Sequence, residues 1–85
     1  MTAGVEKRIR VRYFAILREQ RGEMEEELET DAETAGDLFL KLADEYGFTL
    51  GLDRVRVVVN DEFREWTTSL AEGDTVVFVP PVAGG

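Results

Sequence analysis

Polar and apolar positions alternate over residues 7–14, with Ile9, Val11 and Tyr13 on one side and Arg8, Arg10 and Arg12 on the other. A period of two predicts a strand with one buried face. Residues 15–21 carry Ile16 and Leu17 ahead of Gly22 and read as a short helix that the glycine closes. Residues 23–29 place Met24, Glu26 and Leu28 in phase, an edge strand whose exposed charges oppose sheet-to-sheet association. Thr34 is a good N-cap with Asp37 three residues on. Leu38, Leu42 and Tyr46, with Ala35, Phe39 and Ala43, then form an apolar stripe at helical spacing that ends at Gly47. Residues 54–60 are a valine-rich strand, with Val55, Val57 and Val59 opposite Arg56 and Val58. A turn at Asn60-Asp61, a return strand over 62–66, a turn around Gly73 and a last strand over 75–80 complete the pattern.

The order is strand, short helix, strand, main helix and three strands. One long helix against a mixed sheet of about five strands is an α+β roll. The first and last strands are the most apolar and least interrupted, which places both in the centre. A β-grasp, with those two strands parallel and adjacent, satisfies the pattern. The 85 residues read as a single domain, with residues 1–6 a flexible N-terminus and residues 81–85 a flexible C-terminal tail.

Composition removes several functions. There is no cysteine and no histidine, which leaves no disulfide framework, thiol nucleophile or imidazole base. The net charge of −8 repels nucleic acid. No apolar run is long enough to cross a membrane, and the N-terminus lacks a secretory pattern, so the cytoplasm is the expected location. Basic residues gather early, from Lys7 to Arg21, and an acidic block follows from Glu23 to Glu33. The block reads as solvated charge on a strand and turn. The chain's paired carboxylates, Glu25-Glu26-Glu27 and Glu62 with Glu65, lie in no pattern that suggests acid–base chemistry, and no metal-loop spacing is present. Trp66 reads as packing.

One helix covers one side of a sheet, so apolar residues on the other side point to a partner. Phe14 shares its side with Arg10 and Arg12, and Val58 lies opposite Val57 and Val59. The last strand is apolar on both sides, with Val77 and Val79 facing away from Val76 and Phe78. Phe63 sits just past the Asn60-Asp61 turn. These residues predict an apolar patch on the uncovered face, beside the point where the chain leaves the sheet. There Pro80 and Pro81 remove two backbone donors and hold the chain extended. Val82, Ala83, Gly84 and Gly85 follow. Residues 81–85 span at most about 17 Å, enough to enter a neighbouring protein's pocket. A terminal glycine pair arises by chance in roughly 0.5% of chains. It gains meaning from the apolar strand and proline pair ahead of it. A side-chain-free end fits a narrow channel, and its carboxylate is the reactive group.

The residues Ile9-Arg10-Val11-Arg12-Tyr13-Phe14-Ala15 with Leu17-Arg18-Glu19 and Gly22, then Thr34-Ala35-Gly36-Asp37-Leu38, Val59-Asn60, Leu70, Gly73-Asp74 and the ending Phe78-Val79-Pro80-Pro81-Val82-Ala83-Gly84-Gly85, resemble the MoaD/ThiS family of sulfur carriers. The likeness is greatest to its molybdopterin synthase small subunits and covers nearly the whole chain after residue 6. Val79 departs from it, standing where many members carry a second aromatic residue. The resemblance implies a ubiquitin-like β-grasp and a carrier whose catalytic groups belong to its partners. An adenylyltransferase related to the ubiquitin-activating enzyme would use ATP to adenylate Gly85. A sulfur donor protein would convert it to a thiocarboxylate, and the large subunit of molybdopterin synthase would receive the sulfur. Pro80 to Gly84 would thread into those partners. Phe14, Arg18, Phe63 and Val79 match positions of the partner interface. No cofactor or metal ion is expected on this chain. Two alternatives stand beside this reading: a thiamine-pathway sulfur carrier, whose members are usually shorter and lack the proline pair, and a ubiquitin-like modifier joined to lysines through Gly85.

Overall fold

The computed structural model of the chain describes residues 6–81. The elements are β1 (Lys7–Tyr13), α1 (Ala15–Arg21), β2 (Glu25–Thr30), α2 (Ala35–Tyr46), β3 (Arg56–Val59), β4 (Glu62–Arg64) and β5 (Thr75–Val79). The five strands form one sheet in the order β2-β1-β5-β3-β4. β1 and β5 are parallel in its centre, and every other pairing is antiparallel. This is the ubiquitin-like β-grasp that the element order predicts.

The helix-facing side holds the core. Ile9, Val11 and Tyr13 of β1, Val76 and Phe78 of β5, and Val57 and Val59 of β3 are buried beneath Leu38, Phe39 and Leu42 of α2. Phe39 packs edge-on to Phe78 with ring centroids 5.1 Å apart and lies 5.3 Å from Trp66, which also stacks on Phe78. Trp66 lies past the end of β4, so the return strand is shorter than the alternation predicts. The indole faces inward, and its Nε1 donates to the Leu52 carbonyl.

Local chemistry fixes the element ends. The Thr34 hydroxyl accepts from the Asp37 amide and caps α2. The Ala35 and Gly36 amides donate to the Thr68 and Trp66 carbonyls, which satisfies two donors the helix start would leave open. A Cβ at Gly36 would stand 3.2 Å from the Trp66 carbonyl oxygen, so this close approach favours glycine. The β3–β4 turn needs no glycine: Asn60 and Asp61 both take positive φ, 52° and 72°, as a two-residue hairpin turn requires. The Asn60 side chain then accepts from the Thr75 amide and donates to Asp74, tying the hairpin to the start of β5.

The acidic block is not uniformly solvated. Glu25, Glu27 and Glu29 lie on the open face and pair with Arg8, Arg10 and Arg12 across the strand boundary. Glu26 alternates to the other side. There it accepts two bonds from Arg21 of α1, at 2.6 and 2.9 Å, and one from the Tyr13 hydroxyl at 2.6 Å. The Arg21 guanidinium also lies 4.1 Å from the centre of the Tyr46 ring. The bonds from Arg21 hold the Glu26 carboxyl below the usual carboxylate range. Burial and the neighbouring carboxylate push the Tyr13 hydroxyl well above the ordinary tyrosine value.

These shifts have opposite signs in pH. The Glu26 contribution is complete above its unfolded value of about 4.3 and is lost as pH falls through the lower folded value. The Tyr13 contribution is complete below about pH 10 and is lost on further alkalinisation. Glu26→Ala should lower stability by about 2 kcal/mol at neutral pH, because it strands both Arg21 and Tyr13. Urea denaturation of wild type and variant at pH 7 and pH 3 checks this, and the gap between them should narrow at the lower pH.

Candidate functional site

β1 and β5 run in the same direction, and Tyr13 pairs with Phe78. Phe14 and Val79 therefore leave the sheet at the same end, side by side. Phe14 is extended, and Ala15 turns the chain into α1 at a φ of 53°, a conformation that L-residues avoid. This turn leaves the Phe14 ring exposed beside the last residues of β5. Pro80 is buried and Pro81 exposed.

No helix covers the opposite side of the sheet among the described residues. Register pairs set a row across it: Arg12 stands opposite Val77, Val77 opposite Val58, and Val58 opposite Phe63. Arg56 stands opposite Val79 at the next position. The three valines are half-buried, while Phe63 is 61% exposed, more than a core aromatic would be. The apolar patch predicted on the uncovered face is thus present, formed by Val58, Phe63, Val77, Val79 and Phe14.

Two grooves flank the proline pair. One, of about 520 Å³, is lined by Phe14, Ala15, Ile16, Glu19, Val79 and the prolines. The other, of about 410 Å³, is lined by Asp53, Arg54, Arg56, Phe63, Val79 and the prolines. Five predicted interface and tail positions, Phe14, Phe63, Val79, Pro80 and Pro81, therefore converge at the root of the tail. Arg18 does not join them. It is exposed on α1 and borders a separate depression with Glu19, Gly22, Glu23 and Met24. Val82, Ala83, Gly84 and Gly85 lie outside the described residues, as do residues 1–5.

In and beside the grooves stand residues that the sequence reading did not assign to the site. Ile16 extends the apolar wall beside Phe14. Arg56 lies over the Phe63 ring, its guanidinium carbon 4.9 Å from the centroid, and Arg12 lies 5.5 Å from that of Phe14. The period-two pattern places Arg12 with Phe14 and Arg56 with Val58, but only the folded register brings each arginine onto an aromatic ring. Among the described residues, no cluster of three or more acidic side chains is arranged to hold a metal ion.

The family model described as the ThiS family matches residues 11–85. The chain belongs to the ThiS family. Solved structures agree with membership in this MoaD/ThiS-type group of sulfur carriers with a ubiquitin-like fold. A protein described as molybdopterin converting factor subunit 1 from Pyrococcus furiosus is 30% identical, with a TM-score of 0.73, covering 89% of this chain and 99% of that one. The small archaeal modifier protein 1 from Methanosarcina acetivorans is 27% identical, with a TM-score of 0.74 and coverage of 96% and 100%. A chain from the complex of molybdopterin-converting factor subunits 1 and 2 of Helicobacter pylori is 26% identical, with a TM-score of 0.61 and coverage of 92% and 99%. No curated protein sequence matches the chain.

The exposed face predicts a separation between folding and binding. Phe63→Ala should change stability by no more than about 0.5 kcal/mol, as an exposed substitution does. Phe78→Ala, by contrast, should cost about 3–5 kcal/mol through loss of a fully buried ring. Denaturant titration of the two variants provides the comparison, and equal losses would contradict this account of the face.

Proposed function

We propose that this ThiS-family chain carries sulfur as a thiocarboxylate on Gly85 for dithiolene formation in molybdenum cofactor biosynthesis, as the small subunit of a molybdopterin synthase in the cytoplasm. The observation that carries the proposal is the convergence of Phe14, Phe63 and Val79 around Pro80-Pro81, which places apolar docking surface at the root of the tail. The likenesses to molybdopterin-converting factor subunits in Pyrococcus furiosus and Helicobacter pylori support the pathway.

A terminal carboxylate has a pKa near 3.5, is ionised at neutral pH, and resists nucleophiles. An adenylyltransferase of the ubiquitin-activating type removes that barrier. One carboxylate oxygen attacks the α-phosphorus of ATP, pyrophosphate leaves, and an acyl-adenylate forms. The terminal sulfur of a persulfide on a sulfur donor protein then displaces AMP to give an acyl disulfide. A second thiol attacks the donor's sulfur, which leaves the thiocarboxylate on this chain and a disulfide on the donor side. The large synthase subunit transfers this sulfur to a pterin precursor. In each complex the chain supplies a docking face and a slender end. Gly84 and Gly85 suit a tight channel because no Cβ obstructs it. Phe14, Phe63 and Val79 fill apolar sockets, and Arg18 contacts the partner from α1, outside the two grooves. ATP is bound by the activating enzyme, and this chain holds no cofactor.

The likeness to a small archaeal modifier protein favours a second reading, in which a lysine amine attacks the same acyl-adenylate and forms an isopeptide bond. A thiamine-pathway carrier would share the first two steps and differ in the acceptor.

Intact-mass analysis after incubation with the activating enzyme, ATP and a sulfur donor separates these outcomes. The carrier reading expects one oxygen replaced by sulfur at the terminus, and no such product when Gly85 is deleted. Lysines bearing a Gly-Gly remnant, with no thiocarboxylate, would overturn it in favour of the modifier. Transfer from the charged chain to a pterin precursor, but not to a thiazole precursor, fixes the pathway.

A further inference from the structure

The groove beside Phe63 differs in charge from the rest of the molecule, while Glu19 is the one charged residue lining the groove beside Phe14. The chain carries a net charge of −8, yet Arg12, Arg54 and Arg56 stand around the proline pair and the last strand. Elsewhere on this face charge is cancelled: Arg8 pairs with Glu29, and Arg10 with Glu25 and Glu27. Arg54 and Arg56 make no ion pair among the described residues, and Asp53 is the only carboxylate lining their groove. Arg12 reaches Glu25 at 3.4 Å through its Nε while its guanidinium lies against Phe14. An arginine–phenylalanine pair therefore stands on each side of β5, with Val77 and Val79 between them.

We infer that the partner surface receiving the tail presents carboxylates around its apolar sockets, and that Arg12 and Arg56 read them, fixing the orientation in which the terminus enters. The inference rests on the carrier reading and adds to it the charge chemistry of the partner. A stacked guanidinium keeps its charge while its ring partner limits its motion, so a carboxylate meets a preorganised donor fork. Cations at an interface rim chiefly raise the association rate and exclude mismatched surfaces. The net negative charge of the chain supports this role, because it favours approach of a carboxylate-bearing partner from the side on which these arginines stand.

The test is stopped-flow association of the chain with its ATP-bound activating enzyme at low and high salt, using Arg12→Glu, Arg56→Glu, the conservative Arg56→Lys, and Lys41→Glu as a control. Lys41 is on α2, away from the face, and its reversal changes net charge equally. Thermal melts confirm folding. The inference expects each arginine reversal to slow association by about tenfold at low salt and the deficit to shrink at about 0.5 M salt. Arg56→Lys should retain most of the rate, and Lys41→Glu should leave it nearly unchanged. Equal slowing by Lys41→Glu, or an unchanged rate in both arginine reversals, would overturn the inference while leaving acyl-adenylate formation, measured on the same samples, intact. Absence of acyl-adenylate from the wild-type chain would overturn the carrier reading and this inference together. A concentration-dependent dimer of the chain alone that Arg56→Glu dissolves would also overturn it, by identifying a second copy as the occupant.

Discussion

Parallel pairing of the first strand with the last is the constraint from which the rest of the architecture follows. Val11 pairs with Val76 and Tyr13 with Phe78, and all four side chains are buried. Everything between these strands in the sequence must fold around them: β2 on one flank, the β3–β4 hairpin on the other, and α2 across the inner face. Because parallel neighbours end at the same edge, the turn carrying Phe14 and the exit carrying Pro80 come together. The docking residues are distant in sequence and adjacent in space for this reason alone. A slip of one residue in the pairing would turn the valines of β5 from one face to the other and dissolve both core and patch.

The two faces use charge differently. On the open side, the alternating arginines of β1 meet glutamates of β2, an exposed ladder that adds little stability pair by pair. It leaves the acidic edge strand matched to its neighbour and poorly suited to pairing with another sheet. On the helix side, one carboxylate is drawn in and fully engaged: Glu26 joins β2, α1 and the Tyr13 hydroxyl of β1. This fastening holds α1 against the sheet, and α1 carries Ile16 on the wall of a tail-root groove. The support of the fold and the shape of the binding face are therefore linked through seven residues of helix.

Most of this was legible in the sequence wherever a periodic pattern met a terminating residue. Thr34 and Gly47 bracket α2, Gly22 closes α1, and the alternation in β1, β3 and β5 assigns each valine to its face. The patch followed from the same alternation, because a single main helix cannot cover both sides of a sheet. Glu26 was hidden in its charge block. Period two places it inward with Leu28, but only the return of Arg21 over β2 gives it a partner. The end of β4 was also obscured, because Trp66 continues an apparent strand pattern while its indole belongs to the core. Arg12 and Arg56 were assigned to the right side, yet their stacking on Phe14 and Phe63 depends on side-chain packing that spacing does not encode. Arg18 matched a family position that the fold leaves apart from the tail root.

The central claim is that the uncovered sheet face and the root of the tail form one surface, shaped to present the terminus to another protein. Amide hydrogen exchange of the isotopically labelled chain, alone and bound to its activating enzyme with ATP, tests this most directly. The account predicts slowed exchange around Phe14, Phe63, Val79 and the neighbouring grooves, with the exposed side of α2 around Leu40 and Lys41 unaffected. Protection centred on α2, with the tail-root residues exchanging as in the free chain, would contradict it.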